Sequence, residues 1–162
     1  MTDRSTTDNT ATITTTGGDD ELGEVTITRD FDFPREMLFA AFIDPEQLTH
    51  FWGPPGISTP VDKITIDPRP GGVFNTTMVN DATGEEYPNE GIFTELVEPE
   101  RFSFREPSGM ETSSTLIDLG GGRCRLVIHQ TNVPAMYRGP EALEGFNASL
   151  TRMAEYLATR SS

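Results

Sequence analysis

Apolar side chains recur along this chain with two different periods, and the order in which the periods change predicts the fold. Over 25–32, Val25, Ile27, Arg29 and Phe31 alternate with Thr26, Thr28, Asp30 and Asp32, the period-two signature of a strand with one buried face. The period then lengthens. Met37, Leu38, Ala41 and Phe42 follow at helical spacing, behind an Asp32 and a Pro34 that suit a helix start. A second helix is predicted immediately afterwards: Asp44 can cap it, Pro45 fits its first turn and Gln47 holds the capping-box position. It must be short, because Gly53-Pro54-Pro55-Gly56 ends it.

Residues 61–131 read as antiparallel strands over 61–66, 73–79, 87–97, 101–106, 112–119 and 123–131. Turn clusters separate them at 67–72, 80–84, 98–100 and 120–122. Pro88 weakens the start of the third strand, and Gly120-Gly121-Gly122 is a hairpin signal. A long helix follows, with Pro140 near its start and Leu143, Phe146, Leu150, Met153 and Leu157 in one apolar stripe. Glu144, Arg152, Glu155 and Thr159 fall on its other faces. Gly145 costs this helix about 1 kcal/mol relative to alanine, which points to a neighbour packed closely against it. The order β-α-α, six strands, α shows neither internal repeats nor parallel crossover units, so the pattern is α+β.

Composition divides the chain and narrows its partners. Residues 1–23 carry few apolar side chains among many Thr, Asp, Asn and Gly, too few to offset their ordering entropy, and are expected to be a disordered acidic tail. Residues 24–162 are long enough for one domain with a sizeable core. The formal net charge is -14, from 26 acidic and 12 basic residues. It leaves no basic footprint for nucleic acid and opposes anionic membrane surfaces. The single cysteine, Cys124, excludes an intrachain disulfide. With no apolar run of spanning length and no secretory pattern at the N-terminus, the expected location is cytoplasmic.

Four segments carry a resemblance to a known family: FDFPREMLFAAFIDPEQLTHFWGPPG at 31–56, DPRPGG at 67–72, GIFTELVEPERFSF at 91–104 and EGFNASLTRMAEYL at 144–157. In order and character they resemble the START/SRPBCC superfamily, in its branch named after activators of the heat-shock-protein-ninety ATPase. The resemblance spans 24–157. It implies a helix-grip fold, a curved antiparallel sheet wrapped around the long C-terminal helix, with a pocket between them. One departure stands out: the family's final helix usually carries Trp where this chain has Phe146, which implies a cavity of different shape. The superfamily includes lipid carriers, hormone receptors, cyclases and co-chaperone modules, so function rests on the site.

Candidate pocket residues follow from faces. Trp52, the only tryptophan, either covers a ligand at the pocket mouth or plugs one end of the core. Phe74, Thr76 and Met78 share the strand face expected to be concave. Arg123 and Arg125 mark the outer side of the last strand, turning Ile128 and Gln130 towards the helix. Phe104, Phe146 and Leu150 complete the apolar lining, in which Thr76 and Gln130 would orient a ligand; a filled core with satisfied polar groups fits each position equally. Asn89, Phe93 and Glu95 share a strand face. If that face is inward, Glu95 is a partly buried carboxylate able to move protons; if not, it is an exposed strand residue. His50 and His129 lie far apart with no ligand-spaced partner, so no metal or other cofactor is expected. Cys124 reads as a small buried hydrophobe.

The resulting expectation is a binder of an apolar or amphipathic small molecule. The alternatives are a cyclase- or hydrolase-like enzyme using Glu95 or His129 in the same cavity, and a module contacting a chaperone.

Overall fold

The alternation of 25–32 becomes a nine-residue strand whose inward residues Val25, Ile27, Arg29 and Phe31 are all buried. The computed structural model describes residues 11–18 and 21–160. Among them the chain forms β1 Thr12–Thr16, β2 Gly23–Phe31, α1 Arg35–Ile43, α2 Pro45–Leu48 and β3 Ile57–Ser58, then β4 Thr65–Ile66, β5 Phe74–Asn80, β6 Glu86–Asn89 and β7 Ile92–Val97. β8 Arg101–Arg105, β9 Glu111–Gly120, β10 Arg123–Val133 and α3 Pro140–Arg160 complete it. The main sheet has the order β1-β2-β10-β9-β8-β7, antiparallel at every pairing. A smaller group, β3-β5-β4 with β6 on β5, joins it through the Val73–Ile92 bridge and the Phe74 N–H to Gly91 carbonyl bond of 2.8 Å. This is the helix-grip arrangement, a curved open antiparallel sheet closed by a long C-terminal helix.

Local chemistry explains the boundaries. Asp44 accepts a hydrogen bond from the Glu46 N–H at 3.1 Å, and Gln47 Nε2 donates to its other oxygen at 3.1 Å, so the predicted cap forms at α2. In the turn at 67–72, a Cβ on Gly72 would lie 2.1 Å from the Asp67 carbonyl oxygen, which only glycine avoids.

Three expectations need correction. The segment expected to be disordered over 1–23 contains β1, paired with β2 from Thr12 opposite Thr28 to Thr16 opposite Glu24. Backbone pairing and β-branched threonines order it without a hydropathy contrast, and residues 1–10 lie outside those described. The predicted strand at 61–66 is a 3₁₀ turn, Val61–Lys63, followed by the two residues of β4. The predicted strand over 87–97 is two strands, divided at Glu90 and Gly91, where β6 stays with β5 and β7 joins β8.

Candidate functional site

The inner side of the sheet meets α3 over an aromatic interior. Phe42 lies edge-on to Phe51, with ring centroids 5.7 Å apart, and Phe102 sits 5.3 Å from Phe42. Beyond them Trp52 packs edge-on to Phe74 at 5.4 Å, and Phe74 stacks on Phe104 at 4.9 Å. Between these rings and α3 remains a cavity of about 20 Å³, room for about one water molecule. Phe42, Phe51, Trp52, Phe102 and Phe104 wall it from one side, and Ile128, Phe146 and Leu150 from the others. Thr112, Ser114 and Ser149 supply its only hydroxyls, and no lining residue is charged.

Polar bonds to backbone carbonyls fasten α3 over this space. Ser149 Oγ donates to the Phe51 carbonyl at 2.7 Å and accepts from the Gly53 N–H at 3.3 Å. Arg152 Nη1 donates to the carbonyls of Gly53, Pro54 and Ile57 at 2.7, 3.2 and 3.2 Å. From the sheet, the buried Arg29 reaches Asn147 Oδ1 at 3.0 Å and Thr151 Oγ1 at 2.9 Å. Just before α3, Arg138 donates to the carbonyls of Val133, Gly17, Gly18 and Glu21 at 2.6–3.0 Å. The helix is nonetheless unevenly seated: Leu150, Met153 and Leu157 are buried, while Leu143 and Phe146 are only half-buried. Gly145 faces Pro54, but the neighbour expected to crowd it leaves room, since an added Cβ would lie 3.4 Å away.

The predicted residues separate into three groups. Trp52, Phe104, Ile128, Phe146 and Leu150 line the cavity. Phe74, Thr76 and Phe93 are buried beside it; Phe74 against Phe93 and Phe104 fills the volume where the cavity was expected to continue. Asn89 stands opposite Thr76 on β6, and the Met78 sulfur lies near Gly53. Gln130 Nε2 donates to Thr112 Oγ1 at 3.2 Å, on the inner face as expected.

Glu95 is placed elsewhere. A bulge between Phe93 and Glu95 inserts Thr94, so Phe93 pairs with inward Phe104 whereas Glu95 pairs with Ser103 on the outer face. There Glu95 is 43 % exposed and bonded to Arg101 Nε at 2.7 Å. His129 also lies outside, 2.9 Å from Glu24, and His50 stacks on Tyr156 at 4.6 Å. Glu95 and His129 share one outer row across β7, β8, β9 and β10. Three strand spacings separate them by about 14 Å, and neither faces the cavity. The carboxylate that burial does push up is Glu106, in the β8–β9 turn. Burial also drives the Cys124 thiol up to about 12, which keeps it protonated and unreactive.

Thr112, Ser114 and Ser149 escaped the sequence reading. The run Thr112-Ser113-Ser114-Thr115 offers no hydropathy contrast, but counting back in twos from the buried Leu116 places Ser114 and Thr112 inward.

Comparisons with known proteins agree with this geometry. The family model described as activator of Hsp90 ATPase homolog 1-like protein matches residues 32–158. No curated protein matches the sequence. A solved protein from Nitrosomonas europaea is similar with a TM-score of 0.76 at 22 % identity, over 89 % of this chain and 99 % of that one. One from Chromobacterium violaceum gives 0.73 at 28 % identity, over 82 % and 95 %. The AHSA1 protein of Silicibacter pomeroyi gives 0.71 at 24 % identity, over 85 % and 99 %.

Proposed function

The chain belongs to the activator of Hsp90 ATPase homolog 1-like family, and from that premise we propose that it binds a small, mostly apolar molecule between the sheet and α3. The observation that carries this reading is the seating of Phe146. Phe146 lines the cavity yet is only half-buried, whereas Phe51, which walls the same cavity, is fully buried. A rotamer change of this one side chain therefore opens the interior to solvent. Pockets for small molecules typically hold about 300–1,000 Å³, far more than the cavity of about 20 Å³. Binding accordingly requires the N-terminal half of α3 to lift, while Leu150, Met153 and Leu157 keep the other half docked.

The test uses N-phenyl-1-naphthylamine, a neutral fluorophore that accepts energy from Trp52, the only tryptophan. Bound probe quenches Trp52 and gains emission of its own. Phe146→Ala, which removes the covering ring, should bind more tightly than the parent. Ile128→Phe fills the opposite wall at a stability cost of about 1–3 kcal/mol and should abolish binding. Equal affinity in all three proteins, or no binding to any, refutes the proposal.

A second reading, contact with a chaperone, is favoured by Leu22, Met136 and Tyr137. These large apolar residues are 58, 73 and 54 % exposed on segments that flank the Arg138 contacts. Met136→Ser with Tyr137→Ser should then abolish any stimulation of a purified Hsp90-type ATPase while leaving probe binding intact; unchanged stimulation, or none by the parent, removes this reading.

A further inference from the structure

The cavity's chemistry narrows what can occupy it. Of its three hydroxyls, that of Ser149 is spent, donating to Phe51 and accepting from Gly53. Thr112 Oγ1 accepts from Gln130 and donates its own proton to no partner among the described residues. The Ser114 hydroxyl makes no hydrogen bond among the described residues, although the residue is only 3 % exposed and borders the cavity. Thr112 and Ser114 are two positions apart on β9 and stand on the same inward face. An apolar chamber thus presents two adjacent hydroxyl donors and no charged group. A carboxylate or ammonium placed there would lose its hydration and gain no counter-ion, and the net charge of -14 further disfavours anions.

We propose that the ligand is uncharged where it is buried and carries a hydrogen-bond acceptor, such as a ketone or ester oxygen, which Thr112 and Ser114 receive. This rests on the reading of the cavity as a ligand site. It excludes fatty-acid carboxylates inserted head-first, and pure hydrocarbons are the weaker ligands. A bare apolar chamber would make the opposite choice, because a carbonyl without partners is costlier to bury than a methylene.

Three probes of one shape separate the cases: indane, 1-indanone and indane-1-carboxylate, titrated at pH 7 by protein amide NMR shifts. The parent should bind 1-indanone about fivefold more tightly than indane, the worth of one net hydrogen bond, and indane-1-carboxylate most weakly. Ser114→Ala, which leaves Thr112 as the remaining donor, should narrow that preference while still binding indane, which also reports that the chamber is still formed. If the parent prefers indane or the carboxylate, or Ser114→Ala keeps the parent's preference, this inference is overturned and the cavity reading survives. If none of the three binds the parent, both fall.

Discussion

Replacing Gly145 by alanine sets a helix effect against a packing effect, and the structure decides between them. Inside a helix, glycine costs about 1 kcal/mol relative to alanine, and Gly145 lies well within Pro140–Arg160. The opposing risk is collision with the residues 53–56 that border the helix. The new methyl would sit 3.4 Å from Pro54 Cβ and 3.6 Å from its Cγ. Those are contact distances that add about 0.1–0.2 kcal/mol of attraction per atom pair rather than repulsion. Gly145→Ala should therefore stabilise the domain by about 0.5–1 kcal/mol. For a chain of this size that corresponds to a melting temperature raised by about 1–4 °C. Urea denaturation should show a higher midpoint with an unchanged slope. In the proposed opening of α3 the methyl braces the half that lifts, and uptake of N-phenyl-1-naphthylamine should also slow. A lower midpoint would mean that Pro54 presses harder on the helix than these distances allow, and the argument from Gly145 would be wrong.

Phe51→Ala should cost about 3–5 kcal/mol, as for a fully buried aromatic, and Phe146→Ala, half-buried beside a cavity, less; equal costs by denaturant unfolding would contradict the uneven seating of α3. Deleting residues 1–23 removes β1, the partly buried Ile13 and three carbonyl acceptors of Arg138. A loss of about 2 kcal/mol is expected from the cross-strand pairs and the buried apolar area, and a melting curve superimposable on the parent's would show that β1 contributes nothing. Burial raises the Glu106 carboxyl, so its ionisation destabilises the folded state as pH rises through that region. Glu106→Gln should be the more stable protein at pH 7, with the advantage vanishing near pH 3; a pH-independent difference would place its cause elsewhere. Cys124, pushed up to about 12 by burial, should resist iodoacetamide at pH 8 until urea unfolds the chain, and rapid labelling of native protein would contradict its burial.

Where hydropathy contrast is sharp, the sequence was legible. Val25 to Phe31, the stripe of α3 and the outward arginines of β10 all lie as their spacing predicts. Contrast fails in two ways elsewhere. β1 is threonine apart from Ile13, and β9 has only Thr112 and Ser114 inward ahead of Leu116; threonine and serine look alike on either face of a sheet, so a strand and two cavity hydroxyls went unread. The bulge at Thr94 has no signature in residue type, yet this one inserted residue decides between the two alternatives for Glu95 and puts it on the outer face, while Phe93 stays buried. Phe74, Thr76 and Met78 were assigned the inward face, and Phe74 and Thr76 are indeed buried. That β5 would belong to a separate small sheet, with Phe74 filling its own side, depended on long-range pairing that no local pattern encodes.

Around α3, Arg152 and Arg138 act on neutral acceptors, the backbone carbonyls of Gly53 and Val133 among them. The outer face of the sheet is built otherwise, with Arg123 on Asp32, Arg125 on Asp30 and Arg101 on Glu95. Arg125 holds the Asp30 carboxyl below its ordinary range, so acid neutralises that pair only below that range. Added salt screens the exposed pairs and acts less on the part-buried bonds of Arg152 to the uncharged carbonyls of Gly53, Pro54 and Ile57. Salt and acid should therefore loosen the convex side of this domain and leave the helix in its grip, so that the cohesion of the sheet and the seating of α3 answer to different solution conditions.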